Sequence, residues 1–402
     1  MPVATLSSAH CLSPSFELKS YHEDENYLVQ GKSEPDIRSQ TFIYHLSDQC
    51  WWMKVTFKGE FSYKLNKASP SKIRRKRERR EGYQEFIQLI DYRSLPLLKD
   101  TVTEVLLEVA AQPVSNTLAL KYGFEDPEIS NFVSQLRLTI REDPRRVVYP
   151  SISRFPSIPP IKTSQLEYEE EVTDGVFRVI DRAVGLSYIL KVVNRPLYHP
   201  HDTEVMEKEL ENLEEFKGVP GIVQAAGLAV STDPYTTSMK YGQRWVISGV
   251  LLEYYGGGSL QHVLDEQRME HLPWERWPIQ IGTALHRFHM AKKTHMDLKP
   301  SNVVIDGDGN AILIDVSGIG GITHEWLAPE IRNEISPLDL TFHAGQLNDT
   351  WAFGKLLSLL VSNARYSPFV CTLKNIANDL MADNSQVRLA IPDAIRRLES
   401  GQ

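Results

Sequence analysis

HMDLKPSNVVID at residues 295–306, with ILIDVSG at 312–318 and WLAPE at 326–330, is the stretch on which the reading of the chain turns. It sets an acid, Asp297, and an amide five positions later, Asn302, on one loop. A second acid, Asp315, follows a short apolar run that reads as a strand. An isolated Asp or Asn in a loop is ordinarily a turn or a cap, because its short side chain bonds neighbouring backbone. The order of the features outweighs that reading. HxDLKxxN, then an acid after a strand, then APE, then DTWAFG at 349–354 on a helical stretch form a series that chance rarely supplies.

In these motifs the chain resembles the protein kinase superfamily, over about Glu167 to Leu398. The resemblance implies a bilobal α+β fold with a β-rich N-lobe and a helical C-lobe. It also implies transfer of the ATP γ-phosphate, with Mg2+, to serine or threonine hydroxyls of a protein substrate. That chemistry needs a carboxylate to orient the attacking hydroxyl and take its proton, plus an amide and a carboxylate to hold magnesium against the phosphates. On the family pattern Asp297 is the base, and Asn302 and Asp315 are the metal ligands. Lys299 stands where serine/threonine kinases keep a lysine near the transferred phosphate, and Thr323, five residues before Ala328, stands where a threonine bridges base and lysine. Glu330 of APE is expected to pair with Arg388 in DNSQVRLA, and Asp349 to tie down the catalytic-loop backbone. The APE segment separates the chain from small-molecule kinases such as the aminoglycoside phosphotransferases.

Upstream, SYILKVV at 187–193 reads as a strand with Lys191 on one face, similar to the lysine that grips the α- and β-phosphates. Its partner is a glutamate of the acidic helical segment EVMEKELENLEEFK at 204–217. Register against the following PGIV favours Glu209, with Glu207 and Glu211 as competitors. The glycine-rich lid matches less well. VTDGVFRVI at 172–180 begins at Val172 and keeps Gly175, but Thr173 and Arg178 stand where the outer glycines belong, and a Cβ there obstructs the approach of backbone N–H groups to phosphates. Arg178 is a candidate to reach a phosphate instead. VLLEYYGGGSL at 250–260 resembles the last N-lobe strand and hinge, with Leu252 as gatekeeper and Glu253 to Tyr255 facing adenine through backbone groups.

Two departures bear on regulation. Met296 replaces the arginine of HRD, and the segment from Asp315 to Glu330 is short, so activation by loop phosphorylation is not expected. DFG is replaced by Asp315-Val316-Ser317, with Val316 a smaller apolar plug and Gly318 able to take over the hinge. The alternative to an active kinase is a pseudokinase acting as a nucleotide-binding or scaffolding module.

Working outward, DPRRVVYPSISRFPSIPPIKTS at 143–164 carries five prolines and four serines and reads as an inter-domain linker. It separates an N-terminal accessory domain, residues 1–142, from the catalytic domain, residues 165–402. In the first domain Thr41 to Leu65 reads as two or three strands, and Gly82 to Ala111 as two helices interrupted at Pro96, which makes a small α+β module of unknown role. Charge supports two domains: residues 1–165 hold 23 basic against 20 acidic residues, leaving 21 against 32 for the rest. The basic run Lys72 to Arg80 reads as a solvated loop and helix face, or as a nuclear-import signal or a patch for phosphate-bearing partners, so it leaves nucleic acid open although such binding is not expected.

The three cysteines, Cys11, Cys50 and Cys371, have no paired spacing, and there is no apolar stretch near 18 residues. The expectation is an intracellular protein, cytoplasmic or nuclear, with no membrane partner.

Overall fold

The computed structural model describes residues 14–32, 34–61, 75–110, 118–121, 126–195, 197–238 and 244–401. The chain forms two compact units. The first takes in residues up to 146 together with 232–244, and the second 147–231 with 245–402.

The first unit is built on a five-stranded sheet in spatial order β1-β2-β3-β4-β5. β1 is Ser15–Glu23, β2 Ile37–Leu46, β3 Gln49–Lys58, β4 Val102–Val109 and β5 Leu136–Glu142. All neighbours are antiparallel except β3 and β4, which run parallel. A parallel pair needs a long crossover, and helix α1, Lys76–Leu89, lies within it. A second helix, α2 (Pro127–Ser134), lies between β4 and β5. Alternate inward residues such as Phe42, Tyr44, Met53, Val55 and Phe57 pack with Tyr83, Phe86 and Phe132 into a largely aromatic core. Residues 232–244 complete this unit: Cys50 N–H donates to the Thr237 carbonyl (3.0 Å), and Trp52 Nε1 donates to the Pro234 carbonyl (2.7 Å).

This unit corrects the expectation of two helices over 82–111. Only the first forms, and it begins earlier, at Lys76. Residues 102–109 are strand β4, buried from Val102 through Leu107. A strand covered on both faces reads as a continuous apolar run, which imitates a helix in pattern, and the β-branched Val102, Thr103, Val105 and Val109 favour the extended form. The strand reading of 41–65 corresponds to β2 and β3, with residues 62–65 outside the described residues.

The second unit has a six-stranded sheet in order β6-β10-β11-β9-β8-β7. These are β6 Pro160–Lys162, β7 Leu166–Thr173, β8 Val176–Asp181, β9 Leu186–Val192, β10 Ala225–Thr232 and β11 Trp245–Glu253, with helix α3 (Pro200–Glu215) between β9 and β10. The chain then becomes helical: α4 Leu260–Asp265, α5 Trp277–Met290, α6 Phe342–Asn363, α7 Pro368–Leu380 and α8 Ile391–Ser400. A short pair, β12 (Val303–Ile305) and β13 (Ala311–Leu313), lies between α5 and α6. One hydrophobic core runs from α3 residues Leu210 and Leu213 through Phe288 to Phe353 and Leu380. No described helix is long and apolar enough to cross a membrane.

The stretch 143–164 is not a free linker. Phe155 and Ile158 are buried in the core beside α3, and β6 pairs in parallel with β10 through Pro160↔Leu228, Ile161↔Ala229 and Lys162↔Val230. Proline lacks a donor and is therefore confined to edge strands and strand starts. Pro160 opens an edge strand, so composition that reads as a breaker is compatible with sheet. Phe155→Ala is expected to lower the unfolding free energy by about 3 to 5 kcal/mol in urea denaturation. A change within about 0.5 kcal/mol, typical of a surface site, would mean that the segment is solvated.

Candidate active site

Strand β9 and helix α3 set the first half of the site. Register places Lys191 opposite Val250 on one side and Val176 on the other. Its ammonium reaches Glu209 Oε1 at 2.6 Å and Asp315 Oδ1 at 3.0 Å. Glu207 and Glu211, the competing residues, instead pair with Arg154. Helical spacing explains the selection: Glu209 lies on the face with Met206, Leu210 and Leu213, all buried. Burial opposes the charged lysine, but the Asp315 and Glu209 carboxylates outweigh it and hold its pKa above the ordinary lysine value. Lys191 in turn pulls the Asp315 carboxyl down to about 2, against burial. Burial raises the Glu209 carboxyl, opposed by Lys191.

The catalytic loop hangs from a buried carboxylate. Asp349 of α6 is fully buried and accepts the His295 N–H (2.8 Å) and the Met296 N–H (2.8 Å). His289 Nε2, 3.0 Å away, must donate to it as well, because an ionised carboxylate can only accept. This grip holds Met296 at φ 66°, a left-handed conformation that a long side chain adopts only when its surroundings enforce it. Asp315 has φ 61°. Both strained residues immediately adjoin or constitute the acids of interest. Gly318, at φ +74°, carries the hinge conformation expected of it, and a Cβ there would lie 2.5 Å from the Thr294 carbonyl. Ser317 is buried, and its hydroxyl accepts the Gly320 N–H (2.9 Å).

Asp297 has one oxygen occupied and one free. Oδ2 accepts from Lys299 Nζ (2.6 Å) and Asn302 Nδ2 (3.1 Å), while Oδ1 is buried with no hydrogen-bond partner among the described residues. Lys299 also donates to Thr323 Oγ1 at 2.7 Å, so Asp297, Lys299 and Thr323 form one chain. Asn302 spends its amide N–H groups on Asp297, and its backbone carbonyl accepts the Ile314 N–H (3.0 Å), which draws the loop beside Asp315. The described residues hold no cluster of three or more His, Cys, Asp or Glu able to bind a metal.

At the hinge, Leu252 is buried and the Glu253 N–H is bonded to the Gln224 carbonyl (3.0 Å). The Tyr255 hydroxyl donates to Glu253 (3.0 Å), and no hydrogen bond of its backbone N–H occurs among the described residues. Asp174 and Gly175 form the turn between β7 and β8, with Thr173 and Arg178 in the flanking strands. Gly175 has φ +73°, and a Cβ on it would lie 2.5 Å from the Arg195 Cβ. Val172 is half exposed on β7, with no described contact to Lys191. Arg178 faces Glu169 (2.9 Å), Glu170 (3.2 Å) and the Tyr254 ring, which occupies it away from a phosphate-gripping role.

Farther down, Glu330 and Arg388 form a two-pronged pair, with Nη2 to Oε2 at 2.8 Å and Nη1 to Oε1 closer still. Arg388 is buried, whereas Glu330 is partly open to solvent. Two positioning residues escape the motif reading. Asn212 of α3 donates to the Val316 carbonyl (2.6 Å), and Asn348 of α6 accepts the Ala328 N–H (2.8 Å). A signal existed in each case: an amide flanked by apolar core residues in a helix is retained in the core only with partners.

With this geometry in place, a family model described as "Protein kinase domain" matches residues 173–392, more than half of the chain, and the protein belongs to that family. Among curated relatives it is 27% identical over 229 residues to the death-associated protein kinase dapk-1 of Caenorhabditis elegans, covering 51% of this chain and 14% of that protein. It is 26% identical over 300 residues to the serine/threonine-protein kinase Sgk1-B of Xenopus laevis, covering 70% and 60%. A carbon catabolite-derepressing protein kinase of Secale cereale is 26% identical over 190 residues, covering 44% and 34%. The chain thus spans less than two thirds of the length of these relatives.

Glu330→Ala strands the buried Arg388 with only backbone carbonyls, and chemical denaturation should register a loss of about 3 kcal/mol, the low end for a broken buried pair. The Lys191 pair makes a second prediction. The Asp315 pKa is depressed from 3.8 to about 2, so its stabilisation is complete above the unfolded value and drains away as pH falls from 3.8 to about 2. Over that interval the unfolding free energy of the wild type should fall more steeply than that of Lys191→Met, and equal slopes would remove Asp315 as the partner.

Proposed function

We propose that this chain is an active, ATP- and Mg2+-dependent protein kinase that phosphorylates serine or threonine hydroxyls of a protein substrate. The observation that carries the reading is Asp297 Oδ1: a buried carboxylate oxygen without a partner costs free energy unless something else fills it. A substrate hydroxyl suits it, since a hydroxyl donates one hydrogen bond. With Oδ2 held by Lys299 and Asn302, Oδ1 is left to orient that hydroxyl and to receive its proton as the new oxygen–phosphorus bond forms and the bond from the γ-phosphorus to the bridging oxygen breaks, releasing ADP.

ATP supplies the transferable phosphoryl group, and Mg2+ neutralises its charge. The residues present fit both. Tyr255 offers an unpartnered N–H for adenine, Lys191 a charge for the phosphates, and Asn302 and Asp315 the cation ligands. The Lys299 to Thr323 bond supports serine or threonine as acceptor, because the lysine is kept at the base rather than free in solvent.

Turnover without phosphorylation of the segment after Asp315 is part of this proposal. Met296 is buried with Leu327, Ala328, Ile331 and Trp351, so apolar packing occupies the place of a phosphate-reading charge. The lid, with Thr173 and Arg178 where the outer glycines belong, favours a second reading, a pseudokinase that binds nucleotide or scaffolds without turnover.

Transfer of radiolabel from ATP to a protein acceptor separates the two. Asp297→Asn should reduce transfer by about 10² to 10⁴-fold, the share of a positioned acid or base. A wild-type signal equal to that of the variant would leave the scaffold. Phosphatase treatment before the assay should leave the rate unchanged, and a loss restored by rephosphorylation would defeat the independence from loop phosphorylation.

A further inference from the structure

The first unit carries a charged pocket that the catalytic reading does not use. It is a concavity of ≈ 360 Å³ between β1 and the first turns of α1. Lys19 of β1 lines one side and Lys76, Arg77 and Arg80 of α1 the other, and no acidic residue lines it among the described residues. The helical residues fall at i, i+1 and i+4, one continuous face.

Nearby carboxylates steady three of these cations from outside the cavity: Glu17 pairs with Lys19, Glu25 with Lys76 (2.9 Å), and Glu81 with Arg77 (2.7 Å). The fourth, Arg80, is exposed and has no ion pair or hydrogen bond among the described residues.

The floor is polar by construction. Gln40 is only 1% exposed, in a sheet whose next inward residues are Phe42 and Tyr44. Its amide donates to the Ser20 and Thr41 carbonyls (2.9 Å each) and accepts from Gln84 Nε2 (2.8 Å), another lining residue. Burying an amide where apolar side chains would pack requires every partner to be supplied. The result is a rigid amide floor beneath four cations.

We infer that this pocket binds a compact polyanion bearing two or more phosphate groups, of the inositol polyphosphate class, either free or as the headgroup of a lipid. Cations on opposing walls match charge concentrated in a small volume, and guanidinium groups match phosphate oxygens in pairs. Single-stranded nucleic acid fits less well, since it uses exposed aromatic platforms. The one aromatic lining the pocket among the described residues, Tyr21, turns its ring to Tyr83 and its hydroxyl to Glu23.

The test uses the whole chain with two probes: inositol hexakisphosphate by titration calorimetry, and phosphatidylcholine vesicles with or without phosphatidylinositol bisphosphate by flotation. One-to-one binding of the soluble probe, or flotation only with the bisphosphate, is expected, and the stronger arm identifies the source. Arg80→Glu, a surface change whose folding is checked by melting temperature, should weaken binding more than about tenfold. Lys99→Glu, at an exposed site outside the pocket, should change it less than about twofold. Equal loss in both variants would reduce the effect to diffuse charge and overturn the site. So would absence of binding to both probes, or equally tight binding of a single-stranded oligonucleotide displaced by the same Arg80 change.

Discussion

The Lys191 ammonium is the constraint on which the catalytic unit depends. It sits on strand β9, and two elements that share no local sequence with it, helix α3 and the loop after β13, each deliver one carboxylate to it. Burying a cation is expensive, and attraction to a partner compensates only when geometry is good and the remaining donors are satisfied. Two carboxylates at 2.6 and 3.0 Å take two of its three donors, and they do so only if α3 stands with Glu209 inward and Asp315 keeps its left-handed backbone. Helix placement and loop conformation are therefore linked through a single ammonium group.

Around that pivot the segment after Asp315 is held by further contacts. Asn212 holds the Val316 carbonyl, His201 Nε2 lies 3.4 Å from the Ile319 carbonyl, and Val205 packs on Gly320. Val316 is fully buried within the core that holds Leu210 and Leu213, so the smaller plug fills its place. Below, Met296 anchors the segment preceding Glu330 through apolar contact. None of these interactions calls for an added phosphate, and all are within the reach of packing and ordinary hydrogen bonds.

Legibility in the sequence follows the range of the interactions. The catalytic loop was readable because Asp297, Lys299 and Asn302 sit within five residues, where spacing alone dictates geometry. Glu209 was readable only by register along α3, since charge and helix propensity do not distinguish it from Glu207 and Glu211; burial on one helix face does. Strand β4 was misread because a strand buried on both faces loses its alternation, and the 143–164 stretch because proline composition says nothing about whether a partner strand such as β10 waits beside it. Gly175 of the lid was readable because its positive φ at the turn between β7 and β8 is the conformation a glycine supplies, whereas Thr173 and Arg178 lie in the flanking strands.

A reduced lid beside an intact Asp297 to Lys299 chain is less contradictory than it looks, on the proposed reading of the site. Lid amides hold phosphates in ground state and transition state alike, and interactions of that kind set affinity rather than the rate of the chemical step. Asp297 acts where charge and proton move, so its contribution belongs to the transition state. Loss of the first kind of contact leaves a weaker grip on nucleotide, which higher nucleotide concentration offsets. Loss of the second has no such remedy. On that reading, a chain that keeps Lys191, Asp297, Asn302 and Asp315 while replacing the outer lid glycines with Thr173 and Arg178 gives up contacts that concentration can replace.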